Sequence, residues 1–145
     1  DSLLPRYAGL HAPSRALQAG ELEHGVTWHE ISAGIDTGRI LEQRAIYMDP
    51  GETAFSLNVK CLECAIELFE LLVPKLRAGS WTPIAQTSID RTYYGRGTPW
   101  FNSGFLRCDS VPAAELCTSV RARDFGTGYF NPIGHALLFL HCSGR

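Results

Sequence analysis

The stretch Glu52-Thr-Ala-Phe-Ser-Leu-Asn-Val-Lys-Cys-Leu-Glu-Cys-Ala-Ile-Glu-Leu-Phe-Glu-Leu-Leu-Val-Pro-Lys-Leu-Arg-Ala-Gly79 decides the fold class. Ala54, Leu57, Cys61, Ala65, Leu68, Leu72 and Leu76 follow one another at three- and four-residue steps, the period of a helix with one apolar face. A large side chain buried from such a face is worth roughly 1.5–3 kcal/mol, so the four leucines predict a helix seated on an underlying sheet. Pro74, Arg77 and Gly79 set its end.

The sheet is expected just upstream. Gly25-Val-Thr-Trp-His-Glu-Ile-Ser32 and Ile40-Leu-Glu-Gln-Arg-Ala-Ile-Tyr-Met48 carry the β-branched and aromatic residues of strands. The connector between them, Ala33-Gly-Ile-Asp-Thr-Gly38, is too short for a parallel crossover, so the pair should be antiparallel with the connector at one sheet end. Ahead of them, Asp1 to Ala12 reads as an extended loop leading into a short helix from Pro13 to Gly20, opened by Pro13 or Ser14. After the long helix, Ser80 to Asn102 reads as irregular. A further helix is expected from Val111 or Pro112 to about Phe125, with Ser110 as N-cap, and a final strand over Ile133 to His141.

Composition narrows the class. The 145 residues are 45% hydrophobic and 19% charged, as in globular proteins, and the formal charge of −2 gives no basic footprint for nucleic acid. No apolar run approaches the roughly 20 residues that cross a bilayer. Five cysteines, irregularly spaced, suit reduced thiols in the cytoplasm better than a disulfide framework. Cys61 and Cys64 form a Cys-x-x-Cys, but they fall inside the amphipathic helix without a second pair, so core packing is expected rather than metal or redox chemistry.

Two polar residues stand out. Asp36 lies between Gly34 and Gly38, which permit unusual dihedrals and close approach of a ligand; it either aims a carboxylate into a cleft or forms a turn by bonding its own backbone. His29, on the preceding strand, either shares that cleft or is a satisfied structural imidazole. Arg91, Tyr93, Tyr94 and Arg96 cluster on the irregular segment, as a grip on a phosphate or ring or as a loop packed by its tyrosines.

Four pieces in register, Ser2-Leu-Leu-Pro-Arg-Tyr-Ala-Gly9, Ala16-Leu-Gln-Ala-Gly-Glu21, His24-Gly-Val-Thr-Trp-His29 and Gly34-Ile-Asp-Thr-Gly-Arg-Ile-Leu41, resemble the formyltransferases that use 10-formyltetrahydrofolate. The resemblance continues through Val59–Cys64, Gln86, Arg91–Tyr94 and Asp124-Phe-Gly126 with Asn131-Pro-Ile-Gly134, and looks closest to formylation domains of nonribosomal peptide synthetases, with methionyl-tRNA formyltransferases as further relatives. It departs at Leu106-Arg-Cys108, where many relatives have a Trp.

The resemblance implies an α/β fold, the C-terminal part of a Rossmann-like domain whose mixed sheet includes the antiparallel hairpin. Residues 1–100 would belong to the catalytic domain, and residues 101–145 would be a linker and the start of a C-terminal subdomain. It implies Asp36 as catalytic residue, with His29, Gly34, Ile35, Gly38, Ser2, Leu3 and Leu4 at the donor or acceptor and no metal. The donor would be 10-formyltetrahydrofolate and the acceptor an amino group of an aminoacyl or amino-sugar-like compound, free or bound to a carrier protein or tRNA. The family's Asn-x-His, which stabilises the oxyanion, directly precedes the match to Asp1-Ser-Leu-Leu-Pro5, so residues 1–145 alone are expected to be inactive: loss of an oxyanion donor costs ~10²–10³ in rate. A non-catalytic module binding folate or a carrier protein is the alternative.

Overall fold

The computed structural model describes residues 1–99 and 111–126. The proposed N-cap Ser110, the Leu106–Cys108 departure, the Asn131–Gly134 match and the strand over Ile133 to His141 lie outside them. The elements in chain order are β1 (Ala8–Gly9), α1 (Ala12–Ala19), β2 (Glu23–His29), β3 (Ile40–Tyr47), α2 (Ala54–Ala78), β4 (Tyr93–Tyr94) and α3 (Ala113–Arg121). Helices thus combine with one parallel strand pair, β1 with β4, and one antiparallel pair, β2 with β3.

The antiparallel pairing of β2 with β3 is the predicted one, but β2 starts two residues before Gly25 and ends at His29 instead of Ser32: Glu23 faces Tyr47, and the register runs evenly until an irregularity between Trp28 and His29. That break lies next to the connector, where a shift in register re-aims a side chain. Helix α2 lies across the hairpin, burying Ala54, Leu57, Cys61, Cys64, Leu68 and Leu72. All of these but Leu72 pack with Val26, Leu17 and Ala122 in one core cluster, flanked by Trp28 and Ile46. Cys64 joins the buried face beside Ala65, which is partly buried against the same cluster, and Leu76 is exposed.

Both ends of α2 have a physical cause. Thr53 accepts a hydrogen bond from the Ser56 amide while the Ser56 hydroxyl accepts from the Thr53 amide, a reciprocal cap. At the other end the helix runs through Pro74 to a left-handed Gly79 instead of stopping at the proline. Pro74 is on the exposed side, where the carbonyl it deprives of a donor can turn to water.

The remaining elements differ from expectation at their edges. Helix α1 begins at Ala12, after His11 in the left-handed region, with Pro13 in its first turn, and closes on Gly20. Helix α3 begins after Pro112 and ends at Arg121, because the chain turns there to let the Asp124 carbonyl accept the Phe55 amide at the start of α2. The opening segment is tied down rather than simply extended, and the irregular Ser80–Pro99 stretch contains two ordered pairings. Ile84 exchanges both backbone hydrogen bonds with Ile40, and β4 pairs with β1.

Cys61 and Cys64 pack in the core, as the sequence suggested. Burial pushes the Cys61 thiol up to about 11, which disfavours the thiolate that redox or metal chemistry needs. Among the described residues, no helix is long and apolar enough to cross a membrane.

Candidate active site

The hairpin connector and the opening segment meet at one end of β2. Asp36 has φ 52°, a left-handed conformation that Asp tolerates better than most residues. The glycines beside it are therefore not the source of the unusual dihedral, a correction to the sequence reading. Gly38 is required instead by crowding: a Cβ there would stand 1.6 Å from the Glu30 carbonyl oxygen. What approaches Gly38 closely is this chain's own backbone. Gly34 is similarly close to the Thr37 side chain.

The Asp36 carboxylate does not bond its own loop. Its Oδ2 accepts the Gly9 amide at 2.7 Å, across 27 positions of sequence, and Oδ1 lies 3.7 Å from His29 Nε2. Gly9, at φ 96°, permits this by having no side chain, since a Cβ would stand 2.3 Å from the Tyr94 carbonyl oxygen. The other ring nitrogen of His29, Nδ1, lies 2.9 Å from the Glu30 carbonyl. A carbonyl only accepts, so Nδ1 carries a proton and Nε2 is the nitrogen turned toward the carboxylate.

Asp36 and His29 line a cleft of about 50 Å³ together with Asp1, Ser2, Leu4, Tyr7, Gly9, Ala12 and Thr27. A wider hollow of about 210 Å³ adjoins it, sharing Asp1, Gly9 and Ala12 and reaching His11, Ser14 and Asn58. The opening segment is fixed against β2 by two side chains. His24 Nε2 contacts the Asp1 carbonyl at 2.9 Å, and burial pushes the imidazole down to about 4, so it is neutral and donates. Thr27 Oγ1 donates to the Ser2 carbonyl and accepts the Leu4 amide.

Of the residues singled out from the sequence, Asp36, His29, Ser2 and Leu4 thus come together. Leu3 sits outside the cleft, where a Cβ on Gly25 would meet it at 2.6 Å, and Ile35 is exposed. Gly34 and Gly38 shape the connector without lining the cleft. Thr27, Tyr7 and Gly9 escaped the sequence reading, although each lies within a motif it quoted.

The Arg91–Arg96 cluster divides. Tyr94 stacks on Tyr7, with ring centroids 5.9 Å apart, and Arg15 lies over its face. Arg91 donates from Nη1 to the Asp36 carbonyl at 3.1 Å and from Nη2 to the Ile35 carbonyl at 2.7 Å. It grips the connector, and Gln86 does the same: its Nε2 donates to the Asp36 and Gly38 carbonyls at 3.1 and 2.6 Å. The arrangement presents a fixed carboxylate beside an imidazole in a narrow cleft, a geometry suited to orienting a base or moving a proton.

Comparison with known proteins relates the chain to formyl transferases. Residues 1–72 match the family described as Formyl transferase. An N-formyltransferase from Helicobacter canadensis, solved with folinic acid and dTDP-3-aminofucose, is 27% identical, with a TM-score of 0.75 over 83% of this chain and 44% of that one. WlaRD, a sugar 3N-formyl transferase solved with dTDP and 5-N-formyl-THF, is 30% identical, with a TM-score of 0.74 over 83% of this chain and 43% of that one. The formyltransferase PseJ from Anoxybacillus kamchatkensis, in complex with UDP-4,6-dideoxy-4-formamido-L-AltNAc and tetrahydrofolate, is 26% identical, with a TM-score of 0.60 over 66% of this chain and 49% of that one. The chain spans less than half the length of each of these three. The fold is the α/β fold of these enzymes, and the match to the formyl transferase family runs over residues 1–72, the part of the chain that holds Asp36 and His29.

Proposed function

We propose that this chain is part of an enzyme that transfers the formyl group of 10-formyltetrahydrofolate to the amino group of a nucleotide-linked amino sugar. The observation that carries the reading is the Asp36 carboxylate, held by the Gly9 amide and facing His29 in the cleft bordered by Asp1, Ser2 and Leu4. The solved relatives at 27% and 30% identity were crystallised with folate derivatives and with a dTDP-sugar or dTDP, which favours a sugar acceptor over a carrier-bound aminoacyl group or tRNA. The free thiols of Cys61, Cys64 and Cys117 favour the cytoplasm.

In the reaction the acceptor nitrogen attacks the formyl carbon, and negative charge develops on the formyl oxygen. The bond from that carbon to N10 of the folate then breaks, N10 takes up a proton, and the attacking nitrogen loses one. The resemblance assigns the oxyanion to the family's Asn and His, with Asp36 orienting that imidazole and assisting the proton transfer. His29, Ser2, Leu3, Leu4, Gly34, Ile35 and Gly38 would shape the donor and acceptor sites around it. Fixed donors and a placed carboxylate have the most effect where charge develops in a site sheltered from water.

The test is release of tetrahydrofolate by the full-length protein, with a dTDP-linked amino sugar, an aminoacyl carrier protein and an aminoacyl-tRNA as separate acceptors. Turnover is expected with the amino sugar, and Asp36→Asn should lower kcat by ~10²–10⁴ while folate still binds. Undiminished turnover in Asp36→Asn would remove Asp36 from the chemistry. Folate binding without transfer to any of the three amines would favour the non-catalytic alternative.

A further inference from the structure

Both loops of the cleft are held by one short stretch of chain, Gln86 to Tyr94, which the mechanism above does not use. On one side, Gln86 and Arg91 make four hydrogen bonds to the carbonyls of Ile35, Asp36 and Gly38. On the other, Thr92 Oγ1 accepts the Tyr7 amide at 2.7 Å, the Thr92 carbonyl accepts the Ala8 amide, and the Tyr94 carbonyl accepts the Leu10 amide. The stretch therefore joins the segment that carries Gly9 to the loop that carries Asp36, and those two residues share the hydrogen bond that aims the carboxylate.

The connector's other fixed contacts are the Glu30–Arg39 pairing, the Ser32–Thr37 hydroxyl contact and the Gly38 backbone against Glu30, none of which bonds Asp36. Ile31 to Ile35 and Thr37 are exposed, so no apolar burial holds the loop, and Asp36 adopts a left-handed backbone. Gln86 Oε1 is buried without a hydrogen-bond partner, although a buried unsatisfied acceptor is unfavourable. The glutamine amide serves through its donor half, and that half is spent wholly on the Asp36 loop.

We propose that Gln86 and Arg91 are positioning residues: acting on the backbone of Ile35–Gly38, they hold the Asp36 carboxylate in register with Gly9 and His29. The inference rests on the formyl-transfer reading for its kinetic consequence, but its geometric content stands apart from that reading. Misplacing a reacting group by about 1 Å can cost ~10²-fold in rate. Gln86→Leu and Arg91→Met, singly and together, remove the donors and keep side-chain bulk.

The experiment combines two readouts on the full-length protein. In steady-state formyl transfer, each single variant should lower kcat by about 10-fold and the double by about 100-fold, with donor KM nearly unchanged, and Arg91→Lys should recover part of the loss. In amide NMR, the Gly9 resonance, which reports the bond to Asp36 Oδ2, should move in the double variant toward its position in Asp36→Asn. A Gly9 resonance that stays in place overturns the proposal, even if kcat falls together with thermal stability. If the wild-type protein transfers no formyl group and the Gly9 resonance still moves, the positioning role stands and the formyl-transfer reading falls. Transfer by the wild type with an unmoved resonance and unchanged kcat does the reverse.

Discussion

At the scale of single residues, the site depends on how closely backbone passes backbone. Gly38 shows this most directly, because a methyl group there would overlap the Glu30 carbonyl oxygen and carbon, two atoms that cannot swing aside. Gly38→Ala should therefore destabilise the fold by about 3 kcal/mol, the upper range for overpacking, whereas Gly51→Ala, with open space around it, should stay within about 0.5 kcal/mol. Urea denaturation of both variants checks this, and equal stabilities would mean that the connector yields. The same residues show what the sequence made legible. Asp36 and His29 could be picked out because polar groups near a glycine-bracketed connector are locally conspicuous. Gly9, Gln86 and Arg91 could not be assigned their roles, because their partners are 27 to 56 positions away and nothing local marks the pairing. The unusual dihedral was placed on the glycines when it belongs to Asp36, since spacing alone cannot separate the need for a positive φ from the need for a missing Cβ.

At the scale of elements, legibility follows how much of an element's cause lies within it. Helix α2 has a 3.6-residue apolar period, a reciprocal cap at Thr53 and Ser56 and a glycine at its end, so its existence and buried face were readable. The pairing of β1 with β4 joins Ala8 to Tyr93 and has only two residues on each side, too few for any periodicity. Passage of α2 through Pro74 was also hidden, because it depends on the proline facing solvent. The energetics of α2 should follow the same division. Leu57, fully buried against Val26 and Cys61, should cost about 2–5 kcal/mol when replaced by alanine. Leu62→Ala, at 62% exposure on the same helix, should cost under about 0.5 kcal/mol, and Thr53→Ala about 1 kcal/mol through loss of the cap. Thermal unfolding of the three variants tests the ranking. A Leu62→Ala loss equal to that of Leu57→Ala would mean that the outer face of α2 is as well packed as the inner one.

At the scale of the whole molecule, one buried group couples the site to the stability of the fold. His24 is 2% exposed, donates to the Asp1 carbonyl and packs edge-on to Tyr7 at 6.2 Å. Burial lowers its pKa from 6.5 to about 4, with the Asp1 amino group and, more weakly, the Arg6 guanidinium adding to that depression and the Glu21 carboxylate opposing it. The unfolded chain therefore takes up a proton near pH 6.5 that the folded chain refuses until about pH 4. Its contribution is fully present above pH 6.5 and is lost progressively as pH falls from there to about 4, a change on the order of 3 kcal/mol. Glu52 works in the same sense at lower pH: its Lys60 and Ser56 partners hold its carboxyl below the usual range despite the opposing effect of burial, so protonating it also costs stability. The two contributions are separable by substitution. His24→Gln keeps a donor and cannot titrate, so the stability difference between wild type and variant should shrink between pH 6.5 and pH 4 while the carboxylate loss remains in both. Urea midpoints measured across that interval decide it. Parallel curves for the two proteins would show that His24 is solvated enough to accept its proton in the folded state, and that the β2 contact with Asp1, which borders the cleft, is looser than the geometry indicates.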